Sequence, residues 1–73
     1  MKINKKATNI TKTIKSKQML YGISMEELAI ASRVSISTLY YHLRHPDQLR
    51  LGELIAISKK LHTPISELVG EIQ

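Results

Sequence analysis

The sequence predicts an all-α fold, a compact five-helix domain, from three observations. Apolar and small residues recur at helical spacing in several separate stretches, no stretch alternates convincingly at period two, and Ser, Thr, Gly and Pro stand where helices begin and end. The 73 residues allow one domain with a small core. Hydrophobic residues make up 42% of the chain, enough to fold, yet no apolar run approaches the roughly 20 residues that span a bilayer. A soluble protein is expected. There is no cysteine, which rules out disulfides and thiolate zinc sites and is compatible with a reducing cytoplasm. The N-terminus is rich in lysine but lacks the apolar stretch and small-residue cleavage site of a secretory signal, so it reads as part of the mature protein.

The first helix follows Ile3, Ala7, Ile10, Ile14 and Tyr21, is interrupted at Lys17 and stops at Gly22. Thr and Asn residues between positions 4 and 13 have modest helix propensity, so the pattern is secure from Ile14 onward. Residues 1–9 read as a basic arm or a frayed helix start, and 10–73 as the domain itself. Ser24-Met25-Glu26-Glu27 has the S-x-x-E form of a capping box and opens a second helix carrying Leu28, Ala29 and Ser32 inward. Ser35 caps a third helix with the stripe Leu39, Tyr40 and Leu43, bounded by Pro46. Leu51, Leu54, Ile55, Ser58 and Leu61 mark a fourth. Thr63 as cap and Pro64 at the first helical position start a short fifth, running through Val69 before Gly70.

Charge is uneven along the chain. Residues 1–44 carry eight Lys/Arg against Glu26 and Glu27, net +6, whereas residues 45–73 carry three against four acids, net −1. A basic half attracts a phosphate backbone or, less specifically, an anionic membrane surface. For MKINKKATNITK a solvated, frayed terminus is an equal reading. Lys12, Lys15 and Lys17 read as a solvated helix face, and Lys2, Lys5 and Lys6 as an arm that could track phosphates. Catalysis is not expected, since the chain has no H-E-x-x-H, no Walker loop and no G-x-S-x-G. His42-x-x-His45 brings two imidazoles to one helical face, but no Cys or well-spaced carboxylate completes a metal site. No cofactor and no metal are expected.

Only Arg33 and Val34 separate the small-residue end of the second helix from the Ser35 cap of the third, a helix-turn-helix spacing. Ala29 meets the demand for a small residue where the helices cross, and Val34, Leu39 and Leu43 supply the apolar anchors. On these residues the chain resembles the Cro/lambda-repressor-like helix-turn-helix DNA-binding domain family, five helices in its usual form. The resemblance runs from about Ile14 to Val69: ISMEELAIASRVSISTLYYHL falls on the motif, and LGELIAISKKLHTPISELV on the fourth and fifth helices. TLYYHLRHP looks like variants found among small regulators of phages and mobile elements. Three positions depart from the pattern. Met25 stands where a polar residue often reaches a phosphate and braces the third helix. Arg33 stands where the turn favours a left-handed glycine. Arg50 stands where an N-cap serine or threonine is usual, which moves the expected start of the fourth helix to Asp47 or Gln48.

In this family the third helix inserts its N-terminal residues into the major groove. The resemblance therefore implies base contacts from Ile36, Ser37, Thr38 and Tyr41. It implies phosphate contacts from Ser24, Ser35, His42, Arg44, His45 and Arg50. Positions 36, 39, 40 and 43 also form one apolar stripe, so Ile36 stands equally as core or contact, and Tyr40 reads as core with its hydroxyl at the rim. The implied function is a sequence-specific, double-stranded DNA-binding transcriptional regulator, with homodimerisation on DNA and no membrane or small-molecule partner. The alternative is a protein-interaction module such as an antitoxin or antirepressor. An exposed apolar patch of Ile65, Leu68, Val69 and Ile72 on the fifth helix would favour it.

Overall fold

A computed structural model describes the backbone of residues 5–69 and the side chains of residues 10–69. Five α-helices follow in order: α1 Lys5–Tyr21, α2 Met25–Ser32, α3 Ile36–Arg44, α4 Leu51–Lys60 and α5 Ile65–Val69. A 3-10 turn, Pro46–Gln48, separates α3 from α4, and no strand occurs among the described residues. None of their helices is long and apolar enough to cross a membrane. Residues 1–4 and the side chains of Lys5 and Lys6 lie outside the described residues, and with them the expected lysine arm.

Local chemistry sets the starts of α2 and α3. The Ser24 amide donates to Glu27 Oε1 at 2.8 Å and the Glu27 amide to Ser24 Oγ at 3.0 Å, a complete capping box. The Thr38 amide donates likewise to Ser35 Oγ at 3.1 Å. The two later helices begin differently from expectation. Asp47 and Gln48 belong to the 3-10 turn, which Pro46 opens and the Leu49 amide closes on the Pro46 carbonyl at 3.0 Å. Arg50 then takes the N-cap of α4 in extended conformation, with no side-chain hydrogen bond to the helix. At α5 the Leu68 amide donates to the Pro64 carbonyl at 3.1 Å, while Thr63 is buried and its hydroxyl donates to the Leu61 carbonyl at 2.8 Å.

Three helices end in the same way. Gly22 (φ 66), Arg33 (φ 61) and His62 (φ 51) each follow a helix in the left-handed region. The next amide reaches back five residues, from Ile23 to the Gln18 carbonyl, Val34 to Ala29 and Thr63 to Ser58, at 2.9, 3.1 and 2.9 Å. This motif reverses the chain within two residues, which is how Arg33 and Val34 suffice to join α2 to α3.

Each helix sends at least one side chain into a single core, built from Ile14, Leu28, Leu39, Ile57, Leu61 and Leu68 with Ala29 and Leu43. Leu28, Ala29 and Ser32 of α2 face inward as expected. The expected stripe of α4 holds in part: Leu61 is buried and Leu54 and Ser58 are half-buried, but Leu51 and Ile55 are exposed, and the buried row runs through Glu53 and Ile57 to Leu61. Polar Glu53 is buried because it has a partner on α3, described below. On α5, Leu68 is buried and Ile65 and Val69 are half-buried, since the helix lays this face against α1, so these three do not form the exposed apolar patch that would favour a protein-interaction module. Ile72 lies outside the described residues. Two polar links complete the packing: Lys17 Nζ meets Glu67 Oε2 at 2.8 Å, joining α1 to α5, and Thr11 Oγ1 donates to the Leu43 carbonyl at 2.7 Å, joining α1 to α3.

Candidate nucleic-acid interface

The inner side of α3 is fixed by Leu39 and Leu43, which leaves Ile36, Ser37, Tyr40, Tyr41 and Arg44 on its outer side. These five stand at i, i+1, i+4, i+5 and i+8, one continuous helical face. Ile36 is 42% exposed, so it stands outside the core rather than within it. Tyr40, expected as core, is 48% exposed, the same as Tyr41. The position that turns inward instead is His42. Its Nδ1 lies 2.6 Å from Glu53 Oε1, and the two side chains are 14% and 6% exposed. Nδ1 of the imidazole faces α4, which leaves Nε2 alone for the expected phosphate contact, and with His42 turned inward Tyr40 stands outside. A pattern of apolar residues places Tyr40 inside because it does not register a buried polar pair.

Three hydroxyls cluster at the N-terminus of α3. Ser35 Oγ accepts from the Thr38 amide and donates to Thr38 Oγ1 at 2.8 Å, while Ser37 Oγ lies 3.3 Å from it. Thr38 Oγ1 thus serves as an acceptor within the protein and keeps its own hydrogen to donate outward. The first-turn amides of Ile36 and Ser37 have no intrahelical acceptor and stand at the positive end of the helix dipole. At the other end, the Tyr41 and His45 rings lie with centroids 4.5 Å apart, which braces the tyrosine one turn above the loop. Arg44 and Arg50 are exposed and no ion pair among the described residues engages them.

The two helix N-termini differ in what they offer an anion. Ser35 opens α3 with no acid in the first turn, whereas Ser24 opens α2 beside Glu26 and Glu27. The Ser24 amide holds the Glu27 carboxyl below its ordinary 4.5. A carboxylate therefore already occupies the site where a phosphate would bind, which weakens the expectation for Ser24 and leaves that for Ser35 standing. Arg33 is exposed on the turn and Lys12 and Lys15 on α1. Comparison with protein-family models, curated proteins and solved structures finds no significant match for the chain.

Proposed function

We propose that the chain is a sequence-specific, double-stranded DNA-binding regulator that reads the major groove with α3. The observation that carries this reading is the outer face of α3. It combines an adaptable hydroxyl at Ser37, amphipathic rings at Tyr40 and Tyr41 and an aliphatic contact at Ile36, with the half-buried Thr38 hydroxyl at its edge, on a helix held from behind by leucines. Ser37 and Thr38 hydrogen-bond base edges, and Ile36 packs on a thymine methyl. Ser35, Arg44, His45 and Arg50 contact phosphates on either side, and Tyr40 joins the contact set. One chain presents one such helix within a longest extent of 32 Å. A palindromic operator with half-sites about 34 Å apart therefore takes two copies.

Selection from a random duplex library tests this, followed by titration of the enriched site and a scrambled one at two salt concentrations. A short enriched motif preferred about a thousand-fold over scrambled DNA is the expected result. Weak binding that depends steeply on salt, with no motif, would remove the proposal. Thr38→Ala should weaken the enriched site by roughly tenfold, about 1–2 kcal/mol, and leave scrambled DNA unchanged. Equal loss on both duplexes would deny Thr38 a base-reading role.

A further inference from the structure

Behind the turn, α2 and α4 line two open hollows that adjoin to make one shallow groove, and of its lining side chains only Arg50 and Glu53 have contacts described above. Ala31, Gly52 and Ala56 form its floor throughout. Arg33 and Arg50 bound one end, and Ile55, Lys59 and Lys60 the other. Gly52 lies in the first turn of α4, and a Cβ built there meets nothing within 4 Å. Its φ is not positive, so neither packing nor backbone conformation calls for glycine. Without a side chain at Gly52, another molecule can approach the backbone there closely. Ser32 lines the arginine end, is 8% exposed, and its hydroxyl lacks a hydrogen-bond partner.

The charges indicate what fits. Among the described residues no ion pair engages Arg33, Arg50 or Lys59; Glu53 also lines the groove, but its carboxylate is committed to His42. Lys60 lies near Glu27. We infer that the groove is a docking site for an acidic peptide segment of a partner protein. Small or apolar side chains of the peptide lie on the floor, and its carboxylates reach the cations at the two ends. Arg50 and Lys59 are nine residues apart on α4, about 14 Å, so a helical segment of about ten residues spans them. A second copy docking by the same groove sets four cations against four, which opposes self-association here. A phosphate backbone has the charge but no apolar surface to cover Ile55 and the alanines.

A display library of random peptides about ten to fifteen residues long, selected on the full chain with scrambled duplex as competitor, tests the inference. Enriched peptides should carry Asp or Glu at both ends of a small or apolar centre. Gly52→Leu fills the floor, and Lys59→Glu reverses one end. Each should weaken peptide binding at least tenfold while helicity stays that of wild type, since both positions face open space. Lys12→Glu makes the same charge change on α1 and should alter peptide binding less than about twofold. Failure to enrich acidic peptides, binding indifferent to both groove variants, or equal loss in the Lys12 variant would each overturn the assignment. The result does not depend on α3 reading DNA, because none of the three varied residues contacts DNA in that proposal.

Discussion

Arg33 holds a backbone conformation, φ 61 and ψ 38, that its side chain does nothing to favour. The two-residue turn demands it, because the amides of Arg33 and Val34 both close back on α2. Relief of Cβ strain in the left-handed region outweighs the extra freedom glycine gives the unfolded chain. Arg33→Gly should therefore raise stability by about 0.5–1 kcal/mol, seen as a higher urea midpoint at an unchanged slope. An unchanged or lower midpoint would mean that the guanidinium contributes more than the strain costs. Glu27 makes a pH prediction at the same scale. Its carboxyl is held below the ordinary 4.5 by the Ser24 amide, so its contribution is fully present above that value and is lost as pH falls through the lower folded value. Glu27→Gln should flatten the acid side of a stability-against-pH curve and leave the neutral region parallel to wild type.

At the scale of the elements, α3 is tied to α4 through one buried pair, His42 with Glu53. Removing the imidazole leaves a carboxylate inside the protein without its partner, and breaking a buried pair in this way costs about 3 kcal/mol. His42→Ala should show that loss in urea. The double variant with Glu53→Leu should recover most of it, because no buried carboxylate then remains; additive losses would show that the two side chains act separately. Lys17 and Glu67 join α1 to α5 more loosely, with side chains 21% and 50% exposed. The hydrogen bond to Glu67 raises the Lys17 ammonium above its ordinary 10.5. That contribution is present below 10.5 and disappears as pH rises through the higher folded value. These pairs mark what the sequence left hidden. The start of α2 is legible because Ser24 and Glu27 lie within four residues, and its buried face because Leu28, Ala29 and Ser32 are small or apolar. The inner faces of α3 and α4 depend on a polar pair eleven positions apart, so apolar periodicity puts Tyr40 inside and overlooks Ile57. His62 gave no signal at all, since nothing about histidine announces a left-handed turn. Of the proposed reading face, Ser37 and Tyr41 could be placed from the resemblance, Ile36 is decided by its exposure, and Tyr40 emerges only once His42 is seen to turn inward.

For the whole molecule the governing quantity is where its net charge of +5 resides. Arg44 and Arg50 flank the outer face of α3, whereas Lys59 lies on the groove between α2 and α4 and Lys17 is paired with Glu67. If duplex DNA lies on α3, only cations on that side displace condensed counterions, each contributing about 0.9 to the slope of log affinity against log salt. The slope should therefore be well below what eleven Lys and Arg residues could give. Arg44→Ala should lower affinity for the enriched and the scrambled duplex alike and flatten both slopes by roughly one unit, since a phosphate contact carries no sequence information. Lys59→Glu should leave both slopes nearly as they are, because Lys59 lies on the groove and contacts no phosphate in the proposed complex. A Lys59 variant that flattened the slope as much as Arg44→Ala would move the DNA onto the groove side of the molecule, and a slope untouched by Arg44→Ala would move it off α3.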